Sequence, residues 1–450
     1  MKRRTFLRRA GLTAATAIAA PYILPTGRLF ATTGNPPMAG HVVFVLFAGG
    51  VRQQEAMYQR YLADQNLDVE GNILYNMLTG TPPDIKIVYG VDTPDGQPGG
   101  QPISPILSTP LDQIGTLFKE VRYSSGGTGH YTGLSTGVSG HYGVTQGLQQ
   151  RPVHPTIFEY LRRHAGAKAT DVWFIGNGIN NSTPLLNHSE YPGYGWRYGA
   201  NFFAPNITFG PEGEQHLDGF KLYHPEEELD PINKMRIFLN QSFMQQGGEI
   251  PHLNNTPEEK EDIKAFILNT FERKSNGQIA FPPVTDNQDL STIGYATEVL
   301  RWFKPKLLVV NMGAVDSCHS SFTSYLKALH RADHAVGFLW NYIQTQIPEM
   351  AGDTILMAMP EHGRNLEPNS ILDENDWLAY DHDSDANSRR IFTMMAGPGI
   401  DAGLTVGSES SPVGDAADIV PTIAEILGVK NEVMNSGLLH YDALSLFDRI

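Results

Sequence analysis

Three apolar runs that break off abruptly constrain this chain more than any other feature. HVVFVLF extends from His41 to Phe47 and stops at Ala48-Gly49-Gly50. LLVVNM, from Leu307 to Met312, leads within one short turn to Asp316-Ser317-Cys318-His319. TILMAMP, from Thr354 to Pro360, gives way at once to Glu361-His362-Gly363. A continuous apolar run of strand length fits a strand covered on both faces, the pattern of a parallel sheet. Between such runs lie stretches with helical spacing: HPTIFEYLRRHAG from His154, IGYATEVLRWF from Ile293, SYLKALHRADHAVGFLWNYIQTQI from Ser324 and DAADIVPTIAEILGV from Asp415. Strands alternating with helices predict an α/β chain, a doubly wound, mainly parallel sheet sandwiched by helices. In such sheets the ligand crevice lies outside the carboxyl ends of the strands.

Composition narrows the class. The 450 residues are 41% hydrophobic and 18% charged, an ordinary globular balance. Thirty-three basic against 48 acidic side chains give a net charge of -15, which argues against nucleic acid as the main partner. The single cysteine, Cys318, excludes an intramolecular disulfide and reads as a packed thiol. Residues 40–450 read as the α/β domain, with a polar Gly/Pro-rich surface excursion from Thr79 to Pro110. Residues 180–290 are rich in Asn, Pro, Gly and aromatics, and read as an insertion or cap over the sheet.

The chemistry concentrates at strand ends. Asp316 with His319, and Glu361 with His362, each follow an apolar run, and His382 stands in YDHDSD ahead of the run Ile391 to Met395. Carboxylates and neutral imidazoles are the ligand set of zinc, manganese or iron. Singly, each of these residues is equally a solvated loop group or a capped strand end; jointly, they favour a metal site. His130 and His141, in the glycine-rich SSGGTGHYTGLSTGVSGHYG, are candidates for substrate contact or for local hydrogen bonding. His330 and His334 lie one turn apart among apolar neighbours and read as packing, as do Trp302, Phe338 and Trp340.

These residues carry a resemblance. VVNMGAVDSCHSSFTSYLKALHRADHAVGFLWNYI, DTILMAMPEHG, DHDSDANSRRIFTMMAGPGI and DAADIVPTIAEILGV together resemble the carboxyl-terminal blocks of the alkaline phosphatase superfamily, which includes sulfatases, phosphodiesterases and phosphopentomutases. HVVFVLFAGGVR and GLSTGVSGHYG match its first strand and glycine-rich turn more loosely. The resemblance implies one or two divalent ions, of zinc, manganese or calcium, with Asp316, His319 and His382 on one and Glu361 and His362 on the other. It implies a hydroxyl nucleophile at a helix N-terminus before Thr136-Gly137, for which Thr128 is the choice, with Ser125 and Ser124 behind it. Departures are visible. Ala48-Gly49-Gly50 stands where the superfamily has an Asp, Glu361 where Asp is usual, and Asp316 is one residue closer to His319 than is common. The modified-Cys turn of sulfatases, Cys-x-Pro-Ser-Arg, is absent.

The N-terminal MKRRTFLRRAGLTAATAIAAPYILPTGRLFA resembles a bacterial twin-arginine export signal, with Arg3-Arg4 before Thr5, Phe6 and Leu7. Its apolar segment is too short and too rich in Ala and Thr for a spanning helix. The expectation is an export signal over residues 1–31, the twin-arginine translocation machinery as a partner, and a periplasmic or secreted hydrolase of phosphate or sulfate esters whose substrate is a small molecule or a glycan ester. The rivals are a degenerate member that binds an anionic or glycan ligand, supported by Ala48-Gly49, and a metal-dependent mutase or transferase.

Overall fold

The computed structural model describes residues 36–143, 151–176, 183–209, 255–383 and 385–450, and the backbone of 22–23 and 29–30. The apolar runs become an eight-stranded sheet of β1 His41–Phe47, β2 Gly115–Arg122, β3 Val172–Ile175, β4 Asn201–Phe203, β5 Leu307–Met312, β6 Thr354–Pro360, β7 Arg390–Ala396 and β8 Leu404–Val406. In space the order is β8-β2-β7-β6-β1-β5-β3-β4, and only β7 runs against the rest. Parallel neighbours need a crossover, whereas a loop that returns from the same edge sends the next strand back. No α-helix separates β6 from β7, so the loop 361–389 re-enters β7 at the edge where β6 exits.

The described helices that cover the sheet include α1 His130–Ser139, α2 Ile157–His164, α3 Pro257–Ser275, α4 Gln288–Phe303, α5 Phe322–Gln346 and α6 Ile419–Ile426. Successive side chains of β1 point to opposite faces. Val43, Val45 and Phe47 join the core with α3, α4 and α5, and Val42, Phe44 and Leu46 join the core with α1, α2 and α6. This two-sided burial is why the strands carry no polar alternation. Thr156 and Thr256 open α2 and α3 with capping boxes that use Glu159 and Glu259.

The described parts of 180–290 are woven into the sheet domain: β4 pairs with β3 at the sheet edge, and Phe266 and Phe271 of α3 enter the core. Residues 210–254 of that span, like residues 1–21 of the export signal, lie outside the described residues. The glycine-rich stretch is half helix, because His130 to Ser139 forms α1. A Cβ on Gly133 would lie 2.7 Å from the Glu361 carbonyl oxygen, so this glycine lets α1 pass directly against the end of β6. As expected, Cys318 is fully buried, and burial pushes its thiol up to about 12. Trp302, Phe338 and Trp340 pack on the core as partly buried side chains.

Candidate metal centre

The carboxyl ends of β1, β2, β5 and β6 and the start of β7 share one edge of the sheet; the segments after β2, β5 and β6 and the loop ahead of β7 supply the donors gathered there, and the exit of β1 borders them through Gly49. Beyond β5 a 3-10 turn, Ala314–His319, places Asp316 and His319 on one face, and the Asp289 carboxylate anchors its start by accepting from the Gly313 and Ala314 N–H groups at 3.0 and 2.8 Å. Glu361 and His362 follow β6 directly and are fully buried. His382 comes from the loop ahead of β7, and the Thr128 hydroxyl donates to its carbonyl. After β2, a turn leads to α1, whose first residue is His130.

Two donor groups result. The ligand atoms of His130, Asp316, His319 and His382 lie within 4.8 Å of one another, and so do those of His130, Glu361 and His362. The five residues expected from the sequence as metal ligands are divided between these two groups, which share His130. His130 Nε2 is 3.2 Å from Asp316 Oδ1, and its Nδ1 is 2.6 Å from Glu361 Oε1 and 3.4 Å from His362 Nε2. The His382 ring stands 4.2 Å from the His362 ring and 4.8 Å from the His319 ring, centroid to centroid.

Electrostatics follow from this crowding. Burial pushes the His382 imidazole down, neighbouring His362 and Arg364 add to the effect, and it falls to about 3, which leaves a neutral ring. Burial alone would also lower His130, but the carboxylates on its two sides outweigh it and lift it to about 10. Burial would raise Glu361 and Asp316; hydrogen bonds and charge from the imidazoles reverse this, bringing Glu361 to about 2 and Asp316 well below the carboxylate range.

Sequence reasoning missed two members. Asp381 Oδ1 accepts from His319 Nδ1 at 2.6 Å, which turns Nε2 of that imidazole toward Asp316. A carboxylate on the far nitrogen fixes tautomer and ring orientation, as in carboxylate–histidine–metal arrangements. Arg364, fully buried, donates to the Tyr380 carbonyl at 2.9 Å, to Asp316 Oδ1 at 2.8 Å and to the Gly49 carbonyl. Both lie beside residues already singled out, Asp381 next to His382 and Arg364 two after His362, yet neither follows a strand pattern that would mark it.

The first-strand departure also has a structural cause. Gly49 sits at φ +117°, and a Cβ there would lie 2.5 Å from the Asp316 nitrogen, so no carboxylate fits at that position. Glu361, one methylene longer than Asp, reaches the gap instead and accepts from the Gly49 N–H at 2.5 Å. Thr128 is buried at the turn before α1, whereas Ser124 and Ser125 are exposed. His141 is not brought to the centre. It lies past the far end of α1, roughly 15 Å of helix away, stacked on His154 at 3.6 Å and facing His440. His330 and His334 stay in the core, outside both donor groups.

No protein-family model matches the chain, and no curated protein matches it. Solved structures similar to it include a protein in the alkaline phosphatase superfamily from Vibrio parahaemolyticus, at 14% identity over 95% of this chain and 76% of that chain, with a TM-score of 0.39. Another is the lipoteichoic acid synthase LtaP from Listeria monocytogenes, at 12% identity over 96% and 81%, TM-score 0.40. A third is alkaline phosphatase from the Antarctic bacterium TAB5, at 11% identity over 87% and 99%, TM-score 0.39.

Proposed function

We propose that this protein is an exported, metal-dependent hydrolase of phosphate or sulfate esters. The observation that carries the reading is the convergence of Asp316, His319, Glu361, His362 and His382 with His130 at the strand-exit edge. The donor set fits a divalent ion on a second ground: Glu361 Oε2 and His382 Nδ1 are buried and have no hydrogen-bond partner among the described residues. A buried polar atom without a partner is costly, and a coordinated cation removes that cost. Asp316, His319 and His382 would hold one ion and Glu361 and His362 a second, and a bound divalent ion would polarise the ester oxygen and lower the pKa of the attacking group.

The chain's own residues do the rest. Thr128 is the proposed nucleophile, a hydroxyl held against the His382 carbonyl at the turn that leads into α1. The first N–H groups of α1 have no partners within the helix, and its N-terminus begins at His130 of the donor groups, a place that favours an anion. Asp381 keeps His319 in its ligating orientation, and Arg364 holds Asp316 while adding a fixed positive charge beside the anion. Small-molecule or glycan esters are the proposed substrates. The twin-arginine resemblance supports export to the periplasm or beyond; among the described residues no helix is long and apolar enough to cross a membrane.

A second reading, a non-catalytic relative that binds an anionic ligand, is favoured by Gly49, which leaves no room for an acid, and by the Arg364 guanidinium held against its carbonyl. Chromogenic phosphate monoesters, phosphate diesters, phosphonates and sulfates assayed with the zinc- and manganese-loaded protein separate the two. Hydrolysis of one class, with kcat reduced by about 100-fold or more in Thr128→Ala, supports the hydrolase. Bound metal without turnover of any of the four classes supports the binding protein.

A further inference from the structure

We propose that His130 binds two divalent cations at once, one on each ring nitrogen, so that its imidazole bridges a binuclear centre. The inference rests on the metal centre of the preceding reading, but not on its hydrolytic chemistry. The two donor groups share one residue, and it is His130. Its nitrogens face different ways. Nε2 looks toward the group of Asp316, 3.2 Å away, and Nδ1 toward Glu361 and His362, at 2.6 and 3.4 Å. Among the described residues His130 alone belongs to both groups.

An imidazole is suited to that position. Its two nitrogens lie on separate edges of a rigid ring, and each offers one in-plane lone pair once its proton is gone. The ring stands 3.2 Å from the Asp316 carboxylate on one side and hydrogen-bonds to that of Glu361 on the other, so each nitrogen points at a donor set. The ring is held in place by backbone as well. His130 opens α1 behind Gly129, and Gly133, one turn on, fixes the helix against Glu361.

Copper(II) is the probe, because two copper ions joined through one imidazole couple magnetically and lose the resonance that isolated ions show. Chelator-stripped, full-length protein is loaded with copper, the metal per chain is counted by mass spectrometry, and the electron paramagnetic resonance signal is measured. The expected result is two ions per chain with the signal largely lost. In His130→Gln the signal per bound copper returns, and the second ion is taken up about tenfold or more weakly. His141→Gln, at the other end of α1, leaves the coupling as it was, and circular dichroism confirms that both variants fold. One ion per chain with full signal, or two whose coupling survives in His130→Gln, overturns the bridge while leaving a metal centre. Absence of bound copper overturns the metal centre together with the bridge. A coupled pair in a protein that hydrolyses none of the esters keeps the bridge and sinks only the hydrolase reading.

Discussion

Two buried carboxylates, both fully excluded from solvent, show how structural burial differs from a site. Asp333, on α5, spends both oxygens on its own chain: they accept from the Asn76 and Met77 N–H groups and from the Asn76 side-chain amide, at 2.8 to 3.1 Å. Glu361 directs Oε1 to Gly49 and His130 and leaves Oε2 with no partner among the described residues. Two imidazoles repeat the contrast. His330 accepts from the Ile103 N–H through Nε2 and donates to the Ile73 carbonyl through Nδ1, whereas His382 is crowded by three other imidazole rings with Nδ1 unpartnered. Saturated groups hold the fold, and unsaturated groups that face one another are the ones the proposal assigns to a ligand. Lack of a partner is not sufficient alone, since His334 also has none and stands outside both donor groups.

The contrast breaks if the two classes respond alike to mutation. Asp333→Ala strips the acceptor from three N–H groups, and the expected loss is on the order of 3–5 kcal/mol of folding stability by denaturant titration, with metal content per folded chain unchanged. The same carboxyl makes a pH prediction. Burial is the largest influence on Asp333 and raises it to about 7, so the folded state holds a proton that the unfolded state has released above about pH 4. Its contribution to stability is complete below about pH 4 and is lost as pH rises to about 7, with a slope of roughly 1.4 kcal/mol per unit. Asp333→Asn should flatten that slope in urea melts recorded across the window.

Glu361→Gln keeps the acceptor for Gly49 and His130 but removes the charge. Metal affinity by calorimetry should fall about 10- to 100-fold, while ion-free stability changes by less than about 1 kcal/mol. An ion-free stability loss as large as that of Asp333→Ala would place Glu361 among the fold's own supports. Gly133→Ala forces a methyl group against the Glu361 backbone, and a loss of about 1–3 kcal/mol in thermal unfolding is expected, together with weaker metal binding. The smallest effect is expected at Asp381, partly exposed beside His319. Asp381→Asn should weaken metal binding by about tenfold and shift stability by under about 0.5 kcal/mol.

Much of the centre was legible because its residues follow recognisable strands. Asp316, His319, Glu361 and His362 come directly after β5 and β6, and the exit edge of a parallel sheet is a place where ligands collect. His130 was legible only as a polar group in a glycine-rich stretch, since a helix of small residues has too few apolar positions to show its period. Arg364 and Asp381 sit in the loop 361–389, where side-chain partners are set by distant chain and no local rule applies. Strand β4 was absorbed into the expected cap because three residues are too few to show a pattern against an aromatic-rich background.

The sequence by itself determined the layered α/β architecture, through the apolar runs and their alternation with helical stretches, and it determined which side chains stand at strand ends. Only the tertiary structure decided that β7 runs backwards, which brings His382 to the same edge as Asp316 and Glu361. It also decided that Gly49 leaves no room for an acid and that the two nitrogens of His130 face different donor groups. The reason is one of range. Burial periodicity is written into neighbouring residues, whereas the meeting of groups more than two hundred positions apart depends on strand order and direction, which neighbouring residues do not encode.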